Sequence, residues 1–204
     1  MKRQMIISIA LTLLFPTVLN AFDPEKSGLI SPDTRLLGWA EGDLNKDGRE
    51  DLALALEKFG GSEKEQRSVQ ILLRNVDGTF GLKLEAREAL LLSSEGGMMG
   101  EPFESLTIKS NSLFLSFSGG SRERWTEAFQ FQFRNSGWFL IGLEITVYDS
   151  LNLDYTKNSY NYLTGKIQKL ESLEEQPEKE TWSSFDKSAL ISLENFRASD
   201  DYSK

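Results

Sequence analysis

The chain of 204 residues carries 23 Lys and Arg against 31 Asp and Glu, a formal charge of -8, and contains neither Cys nor His. This composition excludes disulfide bonds, Ser–His and Cys–His catalysis, and nearly every transition-metal site, since those sites depend on His and Cys ligands. The negative charge also argues against nucleic acid as a partner, because proteins bind phosphate backbones chiefly through Lys and Arg.

The first residues, MKRQMIISIALTLLFPTVLNAFDP, predict a secretory signal peptide over residues 1–21. Lys2 and Arg3 form a basic start, an apolar run follows, and Ala21 supplies a small residue at the cleavage site. The run is shorter than the ~20 apolar residues that span a bilayer. We therefore expect an exported protein, periplasmic or extracellular, with no integral membrane segment after cleavage. Loss of the two cations would take the formal charge from -8 to -10.

Residues 22–170 are predicted to form one mainly β domain, because apolar and polar residues alternate with the period of a strand. In AFQFQFRNSGWFLIGLEITV, Phe129, Phe131 and Phe133 share one face. Beyond a turn at residues 135–137 a second apolar face is expected from Phe139, Ile141, Leu143, Ile145 and Val147. Asp77-Gly78 and Asn111 mark the turns of two further hairpins. The sequence predicts an antiparallel meander that forms a sandwich or a partly open barrel.

Three segments outside these hairpins receive separate predictions. The loop 93–105 contains Met98 and Met99, which we expect to plug the sheet rather than form an exposed contact, because Met fills irregular gaps. Residues 171–182 are acidic and are interpreted as a solvated linker. Residues 183–204 are expected to dock back as a last strand or short helix, with a frayed tail from Arg197 onward.

The stretch GDLNKDGREDLAL places side-chain oxygens at the first, third, fifth and ninth positions of a loop, on Asp43, Asn45, Asp47 and Asp51. Gly48 permits a sharp turn, so that alternating oxygens converge on one ion, as calcium with its about six to eight oxygen ligands requires. The alternative is a metal-free turn rich in Asp and Asn. Calcium is favoured because three carboxylates in nine residues repel one another without a cation. Magnesium fits less well, since it demands a stricter octahedral shell.

The loop is not an EF-hand, because its twelfth position is Leu54 rather than Glu and an apolar strand follows. It resembles the D-x-[DN]-x-D-G-x-x-D calcium loops of FG-GAP and VCBS repeats. That resemblance implies ligation by Asp43, Asn45, Asp47, the Arg49 carbonyl and Asp51. The motif occurs once, so the resemblance does not extend to a propeller, which needs several blades. With GEPFESLTIKSNSLFLSFSGGSRERW, NSGWFLIG and NYLTGKI, it also resembles a group of uncharacterised exported bacterial proteins, which implies no activity.

These observations predict an exported, calcium-binding, non-catalytic β-rich module with a structural or binding role. One alternative is a protein-partner inhibitor or immunity-like factor acting through Arg122, Arg124 and Trp125, a cationic-aromatic cluster suited to protein or saccharide contacts. The same residues could instead form an ordinary hairpin turn, with the arginines paired to acids and the Trp on the core. Another alternative is a carboxylate-based hydrolase, which needs two flanking Asp or Glu residues. The sequence alone places no such pair together.

Overall fold

The computed structural model describes residues 23–59, 66–173, 176–187 and 189–203, and the predicted signal peptide lies outside them. Two antiparallel sheets that do not close into a barrel account for most of these residues. The first sheet has the order β1-β2-β3-β4: β1 Thr34–Gly42, β2 Asp51–Lys58, β3 Gln66–Arg74 and β4 Phe80–Ala86. The mainly β, sandwich-like prediction is confirmed.

The second sheet follows the chain order from β5 to β11, with each strand paired to the next. Its strands are β5 Phe103–Lys109, β6 Ser112–Gly120, β7 Glu123–Arg134, β8 Gly137–Asp149, β9 Tyr155–Asn161, β10 Lys166–Ser172 and β11 Lys179–Ser184. The turns at Asp77-Gly78, Asn111 and residues 135–137 join the three predicted hairpins, which are therefore confirmed. Each hairpin pairs two strands that are consecutive in the chain, so the residues of the turn between them were enough to predict the pairing.

The core lies between the two sheets, and β1 closes one side of it against β5. Gly42 at the end of β1 lies so near Ile108 of β5 that an added Cβ would be 2.6 Å from that side chain. Strand β2 is buried on both faces, because Ala53 and Ala55 join the main core while Leu52, Leu54 and Leu56 form a second cluster. A strand that is buried on both faces does not show the alternation of apolar and polar residues that is typical of a half-buried strand.

The predicted apolar face of β8 is wrong in its first half. Gln130 pairs with Gly142 but Phe131 pairs with Leu140, so β8 carries a bulge at Ile141. One extra residue moves every preceding side chain to the other face. Trp138 and Leu140 therefore enter the core with Leu143, while Phe139 and Ile141 leave that face.

The loop between β4 and β5 does not plug the sheet. It contains a 3₁₀ helix, Gly97–Met99, in which Met98 is 87% exposed and Met99 is 47% exposed. The backbone explains this outcome: Gly96 N–H donates to the Gly100 carbonyl at 2.9 Å, and Gly120 N–H donates to the Gly96 carbonyl at 3.0 Å. These bonds hold the loop backbone against β6 and turn the methionines outward.

The C-terminal third contains more regular structure than expected. Residues 171–182, interpreted as a linker, include the end of β10 and most of β11, which pair in register from Lys166↔Ser184 to Glu171↔Lys179. Residues 174 and 175 lie outside the described chain. After β11, Leu193 and Phe196 are buried in the core, around a second 3₁₀ helix, Leu193–Asn195. The tail is docked as far as Tyr202, whose ring stacks on Phe196 at 4.9 Å between centroids, so the expected fraying from Arg197 is wrong for this part of the tail.

Candidate metal centre and neighbouring surfaces

The predicted calcium loop connects the last residue of β1, Gly42, to the first residue of β2, Asp51. Lys46 and Gly48 adopt left-handed backbone conformations, with φ of 65° and 84°. Gly48 supports this turn without strain because it has no Cβ. The local conformation therefore folds the chain between Asp43 and Asp51 back on itself and gathers its oxygen-bearing side chains.

Asp43 organises the first half of the loop. Its Oδ1 accepts hydrogen bonds from the backbone N–H of Lys46 at 2.6 Å and of Asp47 at 3.2 Å, and its Oδ2 accepts one from Gly48 at 3.0 Å. Three amides thus converge on one carboxylate. This arrangement fixes the turn.

Asn45 and Asp47 form a reciprocal pair in the middle of the loop. The Asn45 side-chain amide donates to Asp47 Oδ2 at 2.9 Å, and the Asp47 backbone N–H donates to Asn45 Oδ1 at 3.0 Å. The hydrogen bond from Asn45 is the main cause of a lowered pKa at Asp47. Arg49, expected to offer only its carbonyl, also places its guanidinium against the Asp47 carboxylate. A side-chain cation therefore neutralises Asp47 in this structure.

Asp51 is fully buried and ties the loop to β3. Its Oδ2 accepts from the Leu44 N–H at 2.9 Å, and its Oδ1 accepts from the Arg74 N–H at 3.0 Å. Burial raises the pKa of Asp51 more than these bonds lower it, and the nearby charge of Asp47 raises it further. A cation shared by the two carboxylates would relieve this effect of Asp47 on Asp51.

Two hydrogen bonds anchor the loop to the second sheet. The side-chain amide of Asn111, in the β5–β6 turn, donates to the Asp43 carbonyl at 2.7 Å. The indole N–H of Trp138 in β8 donates to the Leu44 carbonyl at 3.3 Å, and Leu44 itself is completely buried. The loop thus lies where the two sheets meet, and its conformation bears on both.

The donor chemistry of the loop fits calcium, although the arrangement must change to bind it. Within the described chain, no three acidic side chains converge closely enough to hold a metal ion. Asp43 Oδ2 and Asn45 Oδ1 each accept one backbone hydrogen bond and so retain a lone pair for a cation. Asp47 is the obstacle, because its carboxylate must release Arg49. Cation binding therefore requires Arg49 to move away.

The predicted Arg-Trp cluster does not form one surface. Arg122 lies in the β6–β7 turn and pairs with Asp149 at 2.8 Å, whereas Arg124 Nε approaches the Ser121 carbonyl at 3.4 Å. Trp125 packs on the core, where its ring occupies the space a side chain on Gly119 would need. Because successive strand residues face opposite sides, Arg124 and Trp125 point to different faces of β7.

Sequence reasoning missed Glu127, which lies on the inward face of β7 between Trp125 and Phe129. Burial is the main cause of its raised pKa, followed by the charge of Asp201. The signal was present in the alternation Trp125-x-Glu127-x-Phe129, which places one acid on an otherwise apolar face. An acidic residue on an apolar strand face indicates either a buried polar network or a binding or catalytic site.

Comparison of the chain with protein-family models, curated proteins and solved structures finds no match. Across the four described ranges, no helix has the length and apolar character needed to cross a membrane. The functional argument therefore depends on the chemistry of the residues themselves.

Proposed function

We propose that this protein is an exported calcium-binding, non-catalytic β-rich module in which loop 43–51 holds the cation. The ligands would be Asp43, Asn45, Asp47, the Arg49 carbonyl and Asp51. The observation that carries the proposal is that one tightly turned segment holds four oxygen-bearing side chains, each of which accepts a hydrogen bond from a backbone amide of the same segment. Calcium replaces the guanidinium of Arg49 as the neutralising charge.

The position of the loop supports a structural role rather than a catalytic one. Asp51 is buried, and the Asp43 and Leu44 carbonyls accept bonds from Asn111 and Trp138 of the second sheet. Calcium is a weak activator of water, and the sequence has no His to transfer protons. A cation here would stabilise the junction of the two sheets.

Thermal unfolding in calcium, in magnesium and in chelator tests the proposal. A site with a dissociation constant of about 0.1 mM in roughly 2 mM calcium adds about 2 kcal/mol by mass action. For a domain of this size that raises Tm by about 4–8 °C, with a smaller effect of magnesium. Asp47→Ala is expected to remove the calcium response.

The matched control is Asp77→Ala, because Asp77 also forms a side-chain turn, accepting from the Thr79 N–H at 3.0 Å, but lies in the β3–β4 turn. This variant keeps the full calcium response even if its baseline Tm falls. Identical melting in calcium and chelator, with no heat of binding at several millimolar calcium, would show that residues 43–51 form only a charged turn.

A further inference from the structure

A cavity of about 410 Å³ lies on the inward face of the second sheet, on the β7 and β8 strands. Trp125, Phe129, Leu143 and Ile145 supply its apolar floor, and Glu127 projects from β7 in their midst. The wall opposite comes from residues 198–202 of the C-terminal segment and from the loop that includes Glu95. Its volume is that of a small-molecule site.

The charge of this cavity has one sign. Glu95, Glu127, Asp200 and Asp201 line it, and no Lys or Arg is among the described lining residues. Within the described chain the Glu127 carboxyl has no hydrogen-bond donor or ion-pair partner, although burial raises its pKa. A carboxylate placed against aromatic and aliphatic side chains without a counter-charge is costly, and an entering cation offsets that cost.

The geometry distinguishes among cations. A metal ion needs a shell of several oxygen ligands, whereas Glu127 lies on a floor of aromatic and aliphatic side chains. An organic cation needs only one close carboxylate, an aromatic ring for the charge and an apolar surface for its carbon stem. Glu127, Trp125 and the Leu143–Ile145 side of the floor meet these three requirements.

We propose that this cavity binds an organic monocation, an alkylammonium or alkylguanidinium group, with the charge at Glu127 and the stem on the apolar floor. The site is separate from loop 43–51 and does not depend on calcium. The same chemistry occurs in a free amine and in the side chain of Lys or Arg of a protein partner.

The test compares n-butylamine with n-butanol, which has the same stem without the charge, by titration of the indole N–H resonance of Trp125. The resonance is assigned from its loss in Trp125→Phe. Because a hydrogen bond to a charged group contributes more than a neutral one, the amine should bind about tenfold more tightly. Equal affinity for amine and alcohol in the unaltered protein would overturn the proposal without any variant.

Glu127→Gln should abolish the preference for the amine, while Glu123→Gln, the same change on the same strand outside the cavity, should retain it. A retained preference in Glu127→Gln would contradict the assignment of the charge. Titration with Nα-acetyl-lysine methylamide then distinguishes a free amine from the Lys side chain of a protein partner. Binding as tight as that of n-butylamine indicates a protein side chain, and weaker binding indicates a free amine. The amine titrations are repeated in calcium and in chelator. Because the cavity does not depend on calcium, the same result is expected in both, whether or not loop 43–51 binds the cation.

Discussion

Asp51 and Glu127 are both carboxylates held among apolar side chains, but their surroundings differ. Asp51 accepts hydrogen bonds from the backbone N–H groups of Leu44 and Arg74, which offset part of the cost of its burial. Glu127 receives no such bond within the described chain, and Asp201 adds a second negative charge nearby. The hydrogen bonds of Asp51 tie neighbouring segments of the fold together, whereas the partly buried charge of Glu127 has a free-energy cost that a cationic ligand can offset.

The uncompensated charge predicts that Glu127→Gln is stabilising at neutral pH. The pKa of Glu127 is raised in the folded state, so above that pKa both states are ionised and the folded state alone carries the desolvation cost. As pH falls through the folded pKa toward the unfolded value, the folded state protonates first and the cost disappears. Since solvent still reaches this carboxyl, we expect a Tm increase of only about 1–3 °C at pH 7.

Melting curves at pH 7 and near pH 4 measure this difference. The gain from Glu127→Gln should be largely lost at the lower pH, which lies below the raised pKa of the folded state and close to the ordinary value of 4.5, so that Glu127 is mostly protonated in both states. Glu123→Gln, on the exposed start of β7, controls for the loss of one negative charge from the whole protein. A lower Tm for Glu127→Gln at pH 7 would contradict the interpretation.

The candidate calcium ligands could be grouped from the sequence because they lie within one segment of nine residues. The residues that form hydrogen bonds and ion pairs with them could not be predicted in the same way. The carboxylate of Asp51 accepts a hydrogen bond from the backbone N–H of Arg74. Arg74 is the last residue of β3 and lies 23 residues further along the chain. The pairing of Arg49 with Asp47 depends equally on backbone geometry, because the Arg49 Nε also donates to the Arg74 carbonyl at 2.9 Å. The spacing of residues along the loop predicts which side chains are candidate ligands. Contacts with other strands determine which of those side chains are already paired with a cation or a hydrogen-bond donor.

At the level of elements, prediction succeeded where strands were half-buried and joined by recognisable turns. It did not identify β1, whose pairing shifts register between Leu36 and Gly38, or β9, and it interpreted most of β11 as a linker. Strand β11 is exposed along its whole length, and β9 has the polar sequence YTKNSYN. Such strands form because their neighbours offer backbone hydrogen bonds, a cause that leaves no hydrophobic period in the sequence.

The β5–β6 turn permits a direct measurement of the bond between the sheets. Asn111 has a left-handed φ of 56°, so Asn111→Gly preserves the turn while removing the amide that donates to the Asp43 carbonyl. We expect the free energy of unfolding to fall by about 1 kcal/mol, the usual net contribution of one hydrogen bond. Urea denaturation measures the loss.

Asn135→Gly is the matched control for this turn. Asn135 has a similar left-handed φ of 47° in the β7–β8 turn, and its side chain bonds no other described residue. Its replacement should change the free energy of unfolding by less than about 0.5 kcal/mol. Equal losses for the two variants would attribute the effect to glycine itself rather than to the bond with the calcium loop.

At the scale of the whole molecule, loop 43–51 joins two strands of the small sheet and is hydrogen-bonded to the larger one. The first sheet has its own contacts with the loop through Asp51 and Arg74, and the second sheet reaches it through Asn111 and Trp138. A ligand that orders such a junction stabilises the elements on both sides. The hairpin of β10 and β11 lies at the edge of the second sheet opposite β5, the strand whose turn reaches the loop.

This arrangement predicts that calcium slows amide hydrogen exchange in both sheets. The Leu44 and Arg74 amides, which donate to Asp51, should exchange more slowly, and so should the β5–β6 turn around Asn111. In roughly 2 mM calcium and with a dissociation constant of about 0.1 mM, the slowing reaches at most about twentyfold. The β10–β11 hairpin serves as the internal control, because its exposed edge opens locally without disturbing the loop. Asp47→Ala should abolish the slowing and Asp77→Ala should not; slowing confined to residues 43–51 would show that the cation orders its own loop without coupling the two sheets.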